Sequence, residues 1–203
     1  CACLGCFGSP IVSEKRISIT ALSHKEFEEH LHEQLDRCKP SEPFHLSLLY
    51  AISDNHATLQ AELSLSEIPL MRSLAFWIFR RLGLHEDLAS DLILAYEEAL
   101  ANVLRHAYAG QDRGWCATSI ALTQQQLTIS LRDRGPAGCD PQLAERIAAI
   151  TKEGRPPLRH RGGLGLYLIR RLTDQIHYTT QGGENTLVMQ KDLEYNALSE
   201  ARS

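Results

Sequence analysis

The stretch EEALANVLRHAY, residues 97–108, decides how this chain of 203 residues is interpreted. Apolar residues recur at intervals of three or four before and within it, which predicts an amphipathic helix from about residue 85 to residue 108. Glu98, Asn102 and His106 follow one another at four-residue intervals, so they share a second face of that helix. A carboxylate can take a proton from a hydroxyl, and an amide oxygen one turn away can bind magnesium. An ordinary solvated face is the alternative interpretation, and His106 is expected to cap or pack the helix end.

A second segment, DRGPAGCDP at residues 133–141, follows a predicted strand in which apolar and polar residues alternate. Asp133 at the strand exit can accept a hydrogen bond from an exocyclic amine such as that of adenine. Gly135 and Gly138 leave room for a flat ring or a ribose to approach the main chain. The same composition is common in plain surface turns, so this segment alone does not decide a function.

A third segment, GGLGL at residues 162–166, is predicted to open a helix. The free N–H groups and the dipole at a helix N-terminus attract anions, which makes this turn a candidate phosphate site. Arginines shortly upstream, at positions 155, 159 and 161, are placed to neutralise phosphate charge. The segment is not a Walker loop, because no Gly-Lys-Ser/Thr follows it, and a glycine hinge between loop and helix is the alternative.

The rest of the chain contains helical and extended patterns in blocks. A capping box at Ser23 and Glu26 begins a predicted helix of about four turns that ends before Pro40. The apolar run from Phe44 to Ile52 is compatible with a helix or a strand. Further predicted helices cover about residues 69–82, 141–150 and 163–172, and predicted strands cover residues 58–63, 115–122, 126–133, 175–181 and 185–192. This order predicts an α+β fold, a two-layer sandwich of a mostly antiparallel sheet with helices on one face.

Composition argues against several classes of function. The formal net charge of −4 gives no indication of binding to nucleic acid or to an anionic membrane surface. No apolar run approaches the roughly 20 residues of a membrane span. Three of the six cysteines lie at positions 1, 3 and 6, where a zinc site would need a fourth ligand, so a flexible tail with reduced thiols is expected. Cysteines without a pairing pattern favour a cytoplasmic protein.

Taken together and in this order, the three segments resemble the nucleotide-binding boxes of the Bergerat-fold (GHKL) ATPase superfamily. Their wider context, EEALANVLRHAY, DRGPAGCDP and GGLGLYLIRRLTD, is similar to that of the anti-sigma-factor serine/threonine kinases of bacterial stress and sporulation control. The resemblance covers roughly residues 58–192. It implies the Bergerat ATP-binding fold and a small kinase that binds Mg-ATP, phosphorylates a small anti-anti-sigma (STAS-type) protein on serine and sequesters a sigma factor. Homodimers are common among such kinases.

The same resemblance implies roles for individual residues. Glu98 would be the catalytic base and Asn102 the magnesium ligand, while Asp133 would recognise adenine. The other implied nucleotide-binding residues are Gly135, Gly138, Gly163, Leu164, Gly165, Leu166 and Thr186. Residues 136–161 would form a lid over the nucleotide. The second segment departs from the family pattern, since it is one residue longer than usual and Cys139 stands where an aromatic residue is common.

The expected domain organisation has three parts: an N-terminal extension at residues 1–56 with one amphipathic helix, an ATP-binding kinase domain at residues 57–193 and a C-terminal tail at residues 194–203. Two other functions stay open. A nucleotide-gated binding protein would sequester a regulator with little or no turnover, although pure binding needs no base. A histidine-kinase catalytic domain is the other, since His32 and Glu33 on the first predicted helix resemble a phospho-acceptor pair.

Overall fold

The computed structural model describes residues 24–38, 48–123, 125–135 and 164–193, most of which lie in helices and strands. In chain order the helices are α1 (His24–Cys38), α2 (Ile68–Arg81), α3 (Glu86–Asn102) and α4 (Leu164–Leu172). The strands are β1 (Leu49–Ser53), β2 (His56–Leu63), β3 (Gly114–Leu122), β4 (Gln126–Asp133), β5 (Gln175–Gln181) and β6 (Glu184–Asp192). A 3-10 turn (Leu65–Glu67) precedes α2, and a π-helical turn (Val103–Ala107) continues α3.

The described strands form one sheet in the order β1-β2-β3-β4-β6-β5, and every neighbouring pair is antiparallel. Burial alternates along β2, β4 and β6, because successive side chains of a strand point to opposite faces of the sheet. One face is therefore buried against the helices, and the other carries mainly small and polar side chains. The predicted α+β fold with an antiparallel sheet is confirmed.

The core lies between the sheet and the helix layer. Both α2 and α3 bury an apolar stripe at helical spacing, as the sequence pattern predicts. Tyr96 of α3 is fully buried, and its hydroxyl lies 3.1 Å from Oγ1 of Thr118 on β3, so this polar group inside the core has a hydrogen-bond partner. Gly83, with φ of 88°, allows the chain to leave α2 and turn into α3. The packing of α3 on the sheet fixes the direction in which its polar face points.

Helix α1 and strand β1 are built onto the same sheet and helix layer. The pairing of β1 with β2 shows that the second half of the ambiguous apolar run is a strand. Phe27 of α1 is fully buried, and its ring centroid lies 4.7 Å from that of Tyr50 on β1 and 5.6 Å from that of Trp77 on α2. The hairpin of β1 and β2 thus continues the sheet across the domain boundary predicted at residue 56.

Some sequence-based predictions concern residues outside the described ranges. These are the helix at residues 141–150, the lid at residues 136–161 with the arginines at positions 155, 159 and 161, the glycines at positions 138 and 163, the cap at Ser23, the N-terminal cysteine cluster and the C-terminal tail at residues 194–203. Within the described ranges, no helix combines the length and the hydropathy that crossing a bilayer requires.

Candidate active site

The C-terminal half of α3 lies against the first turn of α4, and this contact joins the first and third predicted segments. A Cβ placed on Gly165 would stand 2.6 Å from Oε2 of Glu98 and 3.3 Å from Nδ2 of Asn102. Glycine at this position therefore lets α4 begin directly beside the carboxylate and the amide. Both side chains are half-buried on α3, one turn apart, and neither forms a hydrogen bond or an ion pair with another described residue.

The helix that carries these groups changes from α to π geometry at Val103, immediately after Asn102. The sequence pattern predicts one continuous helix to residue 108 and gives no sign of this change. A Cβ on Gly135 would overlap the Cβ and the carbonyl oxygen of Ala107, so the exit of β4 packs directly on the end of the π turn. Single π turns within helices are frequent at functional sites. The second predicted segment thus meets the same helix as the other two.

Asp133 ends β4 on the buried face of the sheet and is only 3% exposed. Its Oδ1 accepts a hydrogen bond from Nδ2 of Asn185 at 2.8 Å and another from the main-chain N–H of Gly135 at 2.9 Å. No described residue donates to Oδ2. The carboxylate therefore keeps one acceptor oxygen for a ligand, and it is suited to an N–H donor such as an aromatic amino group.

Tyr108 connects the end of the π turn to the sheet, and it is not among the site residues predicted from the sequence. Its hydroxyl donates to the carbonyl oxygen of Trp115 at 2.6 Å and accepts from the main-chain N–H of Arg134 at 2.8 Å. Its ring fills the space beside Gly114 that a Cβ there would need. Burial raises the pKa of Tyr108 from 10.0 to about 12, so the hydroxyl keeps its proton to donate even in moderately alkaline solution. Tyr108 thereby fixes the residue after Asp133 relative to α3.

We expect Tyr108→Phe to lower the free energy of unfolding by about 1–3 kcal/mol, because it leaves a main-chain carbonyl and a main-chain N–H without their partner. Urea unfolding of the variant and the wild type measures this difference. Tyr50→Phe is the matched control, since it removes one hydroxyl that bonds the exposed Glu28 and should change stability by less than about 1 kcal/mol. Equal losses in the two variants would contradict the connecting role.

Cys116 lies opposite Asp133 in the β3–β4 register and is buried. Burial and, secondarily, the charge of Asp133 raise the pKa of its thiol from 9.0 to about 12. Because the thiol ionises first in the unfolded chain, the stability that it contributes is complete below pH 9 and is lost as pH rises towards 12.

We therefore expect the free energy of unfolding, measured in urea with a reductant, to fall with pH above pH 9 by on the order of 1 kcal/mol per pH unit. Cys116→Ala should lose that part of the slope, whatever its stability at neutral pH. Tyr50, Tyr96 and Tyr108 also have raised pKa values and start to ionise between pH 9 and pH 10 in the unfolded chain, so the difference in slope between the wild type and Cys116→Ala over that interval is what reports the thiol. Parallel slopes for the two proteins in that interval would refute this explanation.

Thr186 does not lie with Asp133. It stands opposite Arg132 of β4 and faces the other side of the sheet, since adjacent residues of a strand alternate. The structure therefore does not bring Thr186 to the carboxylate, and the expected place beside it is held by Asn185, which lies directly opposite Asp133. The sequence contains a signal for Asn185, because it lies two positions before the apolar Leu187 and alternate residues of a strand share a face. The structure places both side chains on the buried face.

The two leucines predicted at the site have different surroundings in α4. Leu166 is 7% exposed and packs into the core, where it holds the first turn of the helix in place. Leu164 is 59% exposed and lies at the outer side of the same turn. Of these two, Leu164 is the side chain available to a bound molecule.

The described groups fit a magnesium-bound adenine nucleotide. Asn102 offers an amide oxygen of the kind that magnesium accepts alongside phosphate oxygens. The missing side chain of Gly165 leaves space in front of Asn102 and Glu98, which a Cβ would enter. At the other end of the site, the uncommitted oxygen of Asp133 matches the amino group of adenine. The amide of Asn102, the space left by Gly165 and the free oxygen of Asp133 thus each suit one part of such a ligand.

Residues 60–191 match the family model described as "Histidine kinase-like ATPase domain", which spans well over half of the chain. The chain belongs to this family. It is 31% identical to the serine-protein kinase RsbW of Bacillus pumilus over 115 residues, which cover 56% of this chain and 70% of that relative. It is 26% identical to the RsbW of a Listeria monocytogenes strain over 146 residues, 70% of this chain and 93% of the relative. Within the Bergerat-fold (GHKL) superfamily, the chain therefore belongs to the branch of the anti-sigma-factor kinases.

A solved structure supports the fold of this histidine kinase-like ATPase domain. A chain in "The crystal structure of SiaB-SiaC complex from Pseudomonas aeruginosa" superposes with a TM-score of 0.50 and is 18% identical in sequence. The match covers 67% of this chain and 89% of the other. At this identity the similarity concerns the fold alone.

Proposed function

We propose that this histidine kinase-like ATPase domain is a serine/threonine protein kinase that uses Mg-ATP to phosphorylate a small STAS-type protein in a partner switch. In the same proposal the chain sequesters a regulator such as a sigma factor until the STAS-type protein competes for it, works in the cytoplasm and forms a homodimer. The kinase domain would comprise residues 57–193, and α1 with β1 would belong to an extension built onto its sheet. The RsbW relatives are named serine-protein kinases, which supports the reaction, and the class of partner is inferred from the resemblance of the three sequence segments.

The observation that carries this proposal is the meeting of Glu98, Asn102 and Gly165 where α4 begins against α3. A half-buried carboxylate with no partner among the described residues is a candidate base, and pure nucleotide binding does not need one. The amide one turn away stands beside it, at a helix N-terminus where phosphate groups are favoured. Phosphoryl transfer depends mainly on positioning and charge neutralisation, which this small set of groups can supply.

In the proposed reaction, Asp133 would accept a hydrogen bond from the adenine amino group and hold the base of ATP. Asn102 would bind the magnesium ion, which when bound neutralises charge on the phosphates. Glu98 would orient the serine hydroxyl of the partner and take its proton while the serine oxygen bonds to the γ-phosphorus. The bond from the γ-phosphorus to the bridging oxygen breaks at the same time, and ADP leaves with that oxygen.

Incubation of the full chain with γ-labelled ATP, magnesium and a STAS-type protein that co-purifies from the native extract tests the proposal. The expected result is an acid-stable label on a serine of the partner. Magnesium-dependent uptake of ATP without transfer would support the alternative of a nucleotide-gated binding protein. No uptake of adenine nucleotides in calorimetry would refute both functions.

An acid-labile label on the chain itself would instead indicate a histidine kinase. His32 is exposed on α1, as a phospho-acceptor would need to be, but Glu33 beside it forms an ion pair with Arg37 on the same helix. Helix α1 packs through Phe27 onto α2 and β1 of its own chain, so its apolar side is already used within the molecule. We therefore expect no such label.

A further inference from the structure

A row of polar side chains crosses the sheet at the end of β4 that carries the candidate site. Asp133, Asn185 and Thr180 stand directly opposite one another on β4, β6 and β5. Oγ1 of Thr180 donates to Oδ1 of Asn185 at 2.9 Å, and Nδ2 of Asn185 donates to Oδ1 of Asp133 at 2.8 Å. The amide of Asn185 therefore has a defined orientation, since its oxygen is engaged on one side and its nitrogen on the other.

Two members of this row, Asp133 and Asn185, are buried although they are polar. Asn185 is 2% exposed and Asp133 is 3% exposed, whereas Leu187 and Met189, the next inward residues of β6, are apolar. An amide in such a position is unfavourable unless its hydrogen bonds are satisfied. The sheet does not need it, because the pairing of β4 with β6 uses main-chain groups. We therefore explain the buried amide of Asn185 by its hydrogen bond to the carboxylate of Asp133.

The consequence for Asp133 is an asymmetric carboxylate. Oδ1 accepts hydrogen bonds from Asn185 and from the main-chain N–H of Gly135, so two donors hold one oxygen. Oδ2 receives none from a described residue. A carboxylate pinned through one oxygen cannot rotate without breaking both bonds, so Oδ2 has a fixed direction from which it can accept an N–H of a ligand.

We propose that Asn185, supported by Thr180, is a positioning residue that determines specificity for aminopurine nucleotides by aiming Oδ2 of Asp133 at the exocyclic amine of the base. This rests on the proposed function, since it names how the nucleotide site of that kinase selects its base. Asn185 itself need not touch the nucleotide. Asn185 contributes by fixing the direction of the Asp133 carboxylate. This direction affects the binding only of nucleotides whose base carries the exocyclic amine.

The test compares two triphosphates that differ only in that amine, ATP and purine riboside 5′-triphosphate, by calorimetry with magnesium and the full chain. The wild type should bind ATP more tightly by roughly tenfold, the effect expected for a hydrogen bond to a charged group. Asn185→Leu has a similar size and no donor, and we expect it to lose most of this preference through weaker binding of ATP. The affinity for purine riboside triphosphate should stay within about twofold, because that ligand makes no use of Oδ2.

Thr180→Val provides a second variant with little risk to folding, since Thr180 lies in an exposed part of β5. It should reduce the preference for ATP in the same direction and by less. Thr179→Val is the matched control, because its side chain is on the opposite face of the same strand and should leave the preference unchanged. Equal weakening of both triphosphates in Asn185→Leu, or an unchanged preference in both variants, would overturn the inference while the kinase proposal stands. A wild type that binds neither triphosphate would overturn the two together.

Discussion

Glu98→Gln is expected to lower the rate of phosphate transfer to the partner serine by about 10²–10⁴-fold while the affinity for Mg-ATP changes little. The amide has nearly the shape of the carboxylate, so the space beside Gly165 is preserved. It cannot accept the proton of the serine hydroxyl, however, and the reaction loses its base. Single-turnover transfer of labelled phosphate measures the rate, and calorimetry with ATP measures binding.

Glu97→Gln is the control for this experiment. Glu97 is the neighbouring residue on α3, but it points towards α2, where it pairs with Nε of Arg72 at 3.1 Å on the surface. Losing an exposed ion pair of this kind should change stability by less than about 1 kcal/mol and leave transfer intact. Transfer that survives in Glu98→Gln at the rate of Glu97→Gln would show that Glu98 is not the base.

Gly165→Ala is expected to separate function from stability. The added methyl group would lie 2.6 Å from Oε2 of Glu98, which is too close, so the carboxylate must move. The end of a flexible side chain can move at little energetic cost, and alanine favours a helix more than glycine does, so the free energy of unfolding should change by less than about 1 kcal/mol. Displacement of a catalytic group by about 1 Å can lower the rate about 100-fold, and we expect at least that loss of transfer.

Gly135→Ala is the comparison variant, because it is expected to lower the free energy of unfolding, whereas Gly165→Ala is expected to preserve it. Its methyl group would overlap the main chain of Ala107, which cannot move aside without disturbing the π turn. We expect a loss of about 1–3 kcal/mol in the free energy of unfolding, measured in urea. If Gly165→Ala were as destabilised as Gly135→Ala, or if it kept full transfer activity, the assigned contact between α4 and Glu98 would be refuted.

Much of the fold follows from local sequence patterns. The alternation of Leu127, Ile129 and Leu131 predicts β4 with the same ends that the structure has. The periodicities of α2 and α3 predict their buried stripes, because each helix needs only one apolar side to pack on the sheet. The four-residue spacing of Glu98 and Asn102 likewise places them one turn apart without knowledge of any other element.

Other features depend on contacts between distant parts of the chain, and the sequence does not reveal them. The change to π geometry after Asn102 occurs where the chain meets Gly135 and Tyr108 connects to the sheet, and no local pattern marks it. The sequence-based prediction names Thr186, whereas the structure places its neighbour Asn185 beside Asp133. The two residues point to opposite faces of the sheet, because adjacent residues of a strand alternate. Only the register of β4 with β6 distinguishes Thr186 from Asn185.

The sequence by itself determined the set of chemical groups, the order in which they occur and the family to which the chain belongs, since these depend on residue types and short spacings. The tertiary structure alone decided which of these groups meet. It placed α4 against Glu98 through the missing side chain of Gly165, and it pinned one oxygen of Asp133 through Asn185. The physical reason is that helix spacing is a local property of the chain, whereas strand register and helix contacts are settled by burial of the whole core.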